Sequence, residues 1–200
     1  KRQVNKSAKG FCDLILGDGG VIDKWTKLGV KGWRLDVVDE LPIDFTTKLC
    51  RRIKQEGEDV LIVGEVWEDA STKIAYSQWR PYFMGEQLDS VMNYPFKEAV
   101  LAYTISGNKD EFVSTVTHIL ENYPKESLDV LMNLIDSHDT SRALTTLSGV
   151  KMPRKKADRA AFCLDDTQYA LAKKRLKLAS TLQYVLPGVP CVFYGDEAGV

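Results

Sequence analysis

The chain has 200 residues, of which 44% are hydrophobic and 28% charged, and its formal net charge is -1 at pH 7. These values are typical of a globular domain with a substantial core. Basic and acidic residues are evenly mixed, which argues against a nucleic-acid-binding surface, and no apolar run is long enough to span a membrane. We therefore expect neither nucleic acid nor a membrane as a partner.

The predicted elements alternate between helices and strands. In chain order they are a helix over 19–28, a strand over 32–38, a helix over 44–55, strands over 60–67 and 88–92, helices over 96–103 and 110–122, a strand over 129–135, a helix over 168–186 and a strand over 189–194. This alternation predicts an α/β fold with parallel strands and crossover helices. Two architectures fit it, an open doubly wound sheet and part of a (β/α)8 TIM barrel.

Three acidic residues favour the barrel. Asp36, Glu65 and Asp139 each lie at or just beyond the carboxyl end of a predicted strand. Catalytic residues of parallel barrels collect at this end of the strands. The alternative is a set of unrelated carboxylates that cap helices or lie on the surface.

The first predicted strand carries two charges inside an apolar pattern. Strand alternation puts Arg34 and Asp36 on one face and Trp33, Leu35 and Val37 on the other. The apolar face is expected to pack under helices, and the charged face to point into the mouth of a barrel. An internal ion pair with no catalytic role is the alternative.

Segments of the sequence resemble the α-amylase family of glycoside hydrolases. GWRLDVVDE (32–40), GEVWEDA (64–70) and IDSHDTSR (135–142) follow the order and approximate spacing of three signature segments of that family, and PGVPCVFYGDEAG (187–199) resembles its eighth-strand segment. DSVMNYPF (89–96) and the Glu40 ending resemble its neopullulanase and cyclomaltodextrinase branch. The resemblance covers nearly the whole chain.

The resemblance implies roles for individual residues. Asp36 matches the nucleophile, Glu65 the general acid/base and Asp139 the third acid, which binds sugar hydroxyls and stabilises the transition state. Arg34 matches an arginine that holds the nucleophile ionised, because a nearby cation favours a charged carboxyl group. His138 matches a histidine that hydrogen-bonds the sugar. Glu65 must act as an acid near neutral pH, so we expect its surroundings to favour its protonated form.

Further substrate contacts are expected around these acids. Trp67 and Tyr94 follow predicted strands, and their flat rings suit stacking against sugars. Glu40 belongs to the branch-specific ending of its motif. Arg142 is expected either to support the acids or to form an ion pair on a helix face. Trp25 and Trp33 are expected to lie in the core.

The sequence does not favour three other kinds of site, namely a serine-hydrolase relay, a phosphate-binding loop and a metal cluster. Ser137, His138 and Asp139 are consecutive and would alternate in direction in an extended segment, so a serine-hydrolase relay is not expected. The GDGG run at 17–20 lacks phosphate-loop spacing and predicts a loop before a helix. A metal cluster of Asp36, Asp39 and Glu40 is disfavoured because strand alternation turns Asp36 away from Asp39.

The cysteines indicate the redox environment. Cys12, Cys50, Cys163 and Cys191 are far apart, form no CxxC pair and have apolar neighbours. We therefore expect reduced core thiols, no zinc site and a cytoplasmic location.

The chain is expected to be part of a larger enzyme. The family's first signature segment, which shapes the substrate site and binds calcium in many members, has no match here. We therefore predict that residues 1–200 are the C-terminal portion of a (β/α)8 catalytic domain, about strands 4 to 8, truncated at both ends. No cofactor is expected in this chain, although calcium is possible in the full-length protein.

The predicted function of that larger protein is retaining hydrolysis of α-glucosidic bonds. Its expected substrates are maltooligosaccharides, cyclodextrins, pullulan or starch pieces. The alternatives are a glucan transglycosylase and a non-catalytic fragment. The isolated chain is expected to be inactive, and a homodimer that covers its open strand edges is possible.

Overall fold

The computed structural model describes residues 4–57 and 59–199, in which the chain forms two compact units. The first comprises the chain up to Met92 together with Asn122–Leu131, and the second comprises Asn93–Glu121 and the chain from Met132 onward. The helices are α1 Lys9–Leu16, α2 Val21–Lys27, α3 Ile43–Lys54, α4 Tyr94–Ser106, α5 Lys109–Asn122, α6 Lys125–Asp129, α7 Ala143–Leu147, α8 Lys156–Ala160 and α9 Asp166–Val185. The strands are β1 Gly32–Leu35, β2 Leu61–Gly64, β3 Ile74–Ala75, β4 Gln78–Trp79, β5 Ser90–Val91, β6 Met132–Leu134 and β7 Val189–Cys191.

The first unit is built on a parallel sheet in the order β1-β2-β5. Leu35 pairs with Gly64, so the carboxyl ends of β1 and β2 lie side by side. Helix α3 buries Phe45, Leu49 and Ile53, the apolar face that its sequence period predicts. The sheet thus sets the residues that follow β1 beside those that follow β2.

The second unit contains the parallel pair β6-β7. A buried amide network surrounds this pair: the Asn133 side chain donates to Pro187 O and accepts from Asn93 Nδ2, both at 2.9 Å. The Gln183 side chain of α9 donates to Asn133 O at 2.9 Å and to Cys191 O at 2.8 Å. These bonds fix the two strands to each other and to α9.

The predicted strands and helices are found, but several boundaries were wrong. Strand β1 ends at Leu35 rather than continuing to Val38, and the start of the strand predicted over 129–135 is occupied by the end of α6. The sequence interpretation missed α1, α6, α7, α8 and the antiparallel hairpin β3-β4. Most of these are two to five residues long, too short for a hydrophobic period to be visible.

Some predicted core residues are at the surface. Trp25 and Cys163 are exposed, and Trp33 is only half-buried. Cys50 is the cysteine that fits the prediction, since it lies in the core and burial raises its pKa to about 12.

Gly64, the last residue of β2, is expected to be intolerant of a side chain. A Cβ there would lie 2.5 Å from Leu88 Cδ1 and 3.1 Å from Val38 Cγ1, and both neighbours are buried. We expect Gly64→Ala to lower the free energy of unfolding by about 1–3 kcal/mol, the usual cost of overpacking. Gly10→Ala is the control, because open space surrounds Gly10 in α1 and the exchange there should stabilise by up to about 1 kcal/mol. Equal denaturant midpoints for the two variants would contradict this reading of the packing at Gly64.

Candidate active site

Asp36 lies in a tight turn directly after β1. The next residue, Val37, has φ 41° and ψ 58°, a left-handed conformation that is unfavourable for a β-branched residue. The short 3-10 helix Val38–Glu40 follows. The predicted alternation therefore holds only as far as Leu35, which is buried, whereas Val37 is exposed rather than packed under a helix. The Asp36 side chain is 72% exposed and so accessible to a ligand.

Glu65 follows β2 and is 4% exposed. Its Oε2 accepts the backbone N–H of Val37 at 2.8 Å, and its Oε1 accepts Trp67 Nε1 at 3.0 Å. Arg34 Nη2 lies 2.8 Å from Oε2. All three partners are hydrogen-bond donors, so both oxygens of this buried carboxyl group accept hydrogen bonds.

Arg34 connects the two acids. One guanidinium nitrogen bonds Asp36 and the other bonds Glu65. The planar fork of arginine suits this arrangement, because its donors point in fixed directions. The unit therefore brings a nucleophile candidate and an acid/base candidate to a single cation. The alternative, an isolated Arg34–Asp36 ion pair, does not account for the contact that Arg34 also makes with the buried Glu65.

The 3-10 helix after Asp36 is fixed by the loop that follows β2. Arg80, which is buried, donates to Asp39 O at 2.7 Å and to Leu41 O at 2.8 Å. The Asp39 carboxylate is bonded by Tyr82 Oη and lies 3.1 Å from Lys73 Nζ. Burial, followed by the bond to Asp39, raises the pKa of Tyr82.

The contacts of this segment involve two residues of the metal cluster considered above, Asp39 and Glu40. Asp39 is neutralised by Lys73, and the Glu40 carboxylate accepts a hydrogen bond from Tyr76 Oη in the hairpin. Among residues 4–57 and 59–199 no group of three or more His, Cys, Asp or Glu side chains is arranged to hold a metal ion. Glu40 is exposed, as a substrate contact would require, but its carboxylate is engaged by Tyr76 of the protein itself.

His138 and Asp139 lie in a turn in the second unit. His138 Nε2 is 3.1 Å from Asp139 Oδ2, and both side chains are substantially exposed. Neighbouring side chains were expected to diverge, but the turn brings these two together. Ser137 is buried, and its Oγ contacts Tyr94 Oη and the backbone N–H of Asp139, both at 3.3 Å. These contacts give Ser137 no role as a nucleophile.

Two aromatic residues were expected to stack against sugar. Trp67 is 45% exposed and uses its Nε1 to hold Glu65, so it can offer a ring face beside the acid. Tyr94 is 1% exposed, and a ring so enclosed has no face open to a ligand. The expectation for Tyr94 was wrong because α4 begins at that residue, capped by Asn93, and its first turn is buried.

Arg142 lies at the end of the loop that carries Asp139. It donates to Tyr194 O at 2.6 Å, and its guanidinium carbon lies 4.7 Å and 4.5 Å from the ring centres of Phe193 and Tyr194. Its Nη1 is 3.9 Å from Asp196 Oδ1. Arg142 therefore ties the Asp139 loop to the segment after β7, a support role rather than a helix-face ion pair.

Comparison with known proteins identifies the family of this arrangement. The profile described as "Alpha amylase, catalytic domain" matches residues 16–200. The chain belongs to the alpha-amylase catalytic-domain family. It is 35% identical over 174 residues to a cyclomaltodextrinase of a Bacillus species, which covers 86% of this chain and 26% of that protein. It is also 35% identical over 178 residues to neopullulanase 2 of Thermoactinomyces vulgaris, covering 88% of this chain and 25% of that protein.

Solved alpha-amylase family structures agree with the fold. A cyclomaltodextrinase superposes with a TM-score of 0.75 at 32% identity, covering 98% of this chain and 28% of that one. The type III pullulan hydrolase of Thermococcus kodakarensis gives a TM-score of 0.77 at 29% identity, covering 96% of this chain and 30% of that one. The predicted partial TIM barrel is thereby confirmed. The chain spans about a quarter of the length of the curated relatives it matches.

The sequence interpretation missed residues that support the site. Tyr76, Arg80 and Tyr82 hold the segment after Asp36, yet they sit in a loop with no strand or helix pattern long enough to place them. The cluster of three aromatic residues and one arginine at 76–82, between two predicted strands, is the signal that could have drawn attention to this loop. Separately, no helix in the described part of the chain has the length and apolar character needed to cross a bilayer.

Proposed function

We propose that the full-length protein containing this chain is a retaining hydrolase of α-glucosidic bonds. The observation that carries the proposal is the bridge made by Arg34 between Asp36 and Glu65 at the ends of adjacent parallel strands. A retaining glycosidase needs two carboxyl groups close together, one as nucleophile and one as acid/base. Family membership supports the same chemistry.

In this proposal Asp36 attacks the anomeric carbon and forms a glycosyl-enzyme intermediate. Its exposure suits attack on an incoming sugar. Glu65 gives a proton to the leaving oxygen and then takes one from the water that attacks the anomeric carbon and displaces Asp36. For this transfer the leaving oxygen of the bound sugar has to lie within hydrogen-bonding distance of Glu65 Oε1 or Oε2.

Asp139 and His138 are proposed to bind sugar hydroxyls, consistent with their exposure on a turn. Trp67 is the proposed stacking surface, and Glu40 is a possible hydrogen-bonding group at the edge of the site. The proposed substrates are cyclodextrins, maltooligosaccharides and pullulan, because the relatives are named cyclomaltodextrinase and neopullulanase. A cytoplasmic location, the absence of a cofactor in this chain and a homodimeric state remain our proposals.

The stereochemistry of the first product tests the mechanism. We expect proton NMR of the full-length protein with an α-linked maltooligosaccharide or cyclodextrin to show the α-anomer first, because two successive inversions restore the configuration. The β-anomer should appear only later, at the rate of mutarotation. A β-anomer formed first would refute the retaining mechanism, and a lack of any cleavage would refute the function itself.

A further inference from the structure

Two carboxyl groups in the second unit are buried with little compensation. Asp136 follows β6 and is 3% exposed, and Asp196 opens the 3-10 helix Asp196–Ala198 after β7 and is 8% exposed. Asp136 Oδ2 accepts the backbone N–H of Ala143 at 2.8 Å. Asp136 Oδ1 and both oxygens of Asp196 have no hydrogen-bond partner among the described residues. Buried polar atoms without partners are rare and costly, so this cluster needs an explanation.

The nearby cation does not neutralise both acids. Arg142 Nη1 is 3.9 Å from Asp196 Oδ1, and the same nitrogen donates to Tyr194 O at 2.6 Å. Two ionised carboxylates would therefore leave excess negative charge in a buried place. Two neighbouring buried carboxyl groups cannot both ionise easily, and one of them holds a proton at a pH where an isolated carboxyl would have lost it.

A proton on Asp196 gives the unpaired carboxyl oxygens a hydrogen-bond donor. When Asp196 is protonated it becomes a donor, and Asp136, which follows the strand paired with β7, is the neighbouring carboxyl group that can accept its hydrogen bond. The same proton removes the repulsion between the two carboxylates. Burial, followed by the hydrogen bond and charge of Asp136, raises the pKa of Asp196 to about 7, with Arg142 opposing the shift.

We propose that Asp136 and Asp196 share one proton, and that this proton-linked pair positions the loop bearing His138 and Asp139. The proposal rests on the function proposed above. Asp136 precedes this loop and caps the start of α7, while Arg142 ends the loop and holds Tyr194 O. Asp136 thus joins the two ends of the loop, and Arg142 ties the loop to the segment after β7.

Other charged groups near the pair set the direction of the pH effect. Glu197 adds negative charge beside Asp196, and burial followed by the charges of Asp136 and Asp196 raises the pKa of Cys191 on β7. On α9, the cavity that reaches Asp196 is lined by Tyr169, Lys173 and Lys177. Arg142 is the cation that faces the pair from the Asp139 loop.

The sign of the effect follows from the direction of the shift. The pKa of Asp196 is about 7 in the folded chain and 3.8 as the ordinary reference value. The folded state therefore binds the proton more tightly than the unfolded state. The contribution of this group to stability is fully present below about pH 4 and is lost as the pH rises through about 7. Above that pH the tie between the loop and the β7 segment weakens.

Asp196→Asn in the full-length protein tests the proposal, because an amide imitates the protonated acid and cannot ionise. We expect the variant to have a Tm at pH 8 about 5 °C or more above that of the unmodified protein, with little difference at pH 5. We also expect it to extend the alkaline limb of the pH profile of kcat/KM. Asp158→Asn is the matched control: Asp158 is exposed in the same unit, and its exchange should alter neither quantity.

Infrared spectroscopy gives a readout that does not depend on activity. The unmodified protein at pH 6 should show a protonated carboxyl band that fades between pH 6 and 8 and is absent from Asp196→Asn. A protein that hydrolyses α-glucans but lacks this band, or whose pH dependence of Tm is unchanged by Asp196→Asn, overturns the proposal. A protein that cleaves no α-glucan overturns the proposed function, while the band and the Tm still decide whether the proton is shared. If Asp196→Asn fails to fold, the band in the unmodified protein decides alone.

Discussion

Asp36→Asn and Glu65→Gln are expected to inactivate the full-length protein in ways that depend on the leaving group. With a maltooligosaccharide, loss of the nucleophile should lower kcat by at least about 10⁴-fold. Loss of the acid should lower it by about 10²–10⁴-fold, the usual contribution of a positioned proton donor. Both residues follow adjacent strands and share Arg34, so magnitude alone does not separate their roles.

An α-maltosyl fluoride separates them. Fluoride leaves without a proton, so Glu65→Gln should still form the glycosyl-enzyme and release a burst of fluoride stoichiometric with the enzyme. The burst should be followed by slow turnover, because the base that activates water is missing. Asp36→Asn should release no burst, since a neutral amide replaces the carboxylate that attacks the anomeric carbon. Asp158→Asn serves as the control, and a burst from Asp36→Asn would show that the two roles have been exchanged.

Much of the fold was predictable because its signals are local. Helices α3 and α9 are long enough to show their period or their caps, and β2 is recognisable as a short apolar run. Parallel pairing followed from the alternation of strands and helices. The hairpin β3-β4 and helix α6 were missed because two or five residues carry no readable period.

The residues of the site could be predicted from the sequence, but the contacts between them could not. Asp36 and Glu65 were found from their positions at strand ends. Their joint contact with Arg34 depends on the register in which β1 pairs with β2, and one strand's sequence does not contain that register. The left-handed Val37 shows the same limit: its side chain favours a strand, but a bond from its N–H to Glu65 holds it in the turn.

Replacement of Arg34, which bridges the two acids, is the second change for which we expect a large effect on activity. Arg34→Met in the full-length protein should lower kcat/KM by about 10²-fold or more, because both acids lose the cation that orients them. Glu65 would remain buried with only the two neutral donors described above. We also expect the free energy of unfolding to fall by less than about 3 kcal/mol. The arginine side chain is 31% exposed, so the ion pair is partly screened by water.

Arg34→Lys distinguishes a need for charge from a need for the guanidinium fork. An ammonium group is a single point charge and cannot present two nitrogens to two acids in fixed directions. We expect Arg34→Lys to recover part of the stability but to remain at least about tenfold below the unmodified protein in kcat/KM, which corresponds to 1.36 kcal/mol of transition-state stabilisation. Arg51→Met is the control, because Arg51 pairs with Glu86 at the surface and its loss should change both quantities little. Full activity in Arg34→Lys would show that positive charge alone is sufficient, and equal effects of Arg34→Met and Arg51→Met would remove Arg34 from the catalytic arrangement.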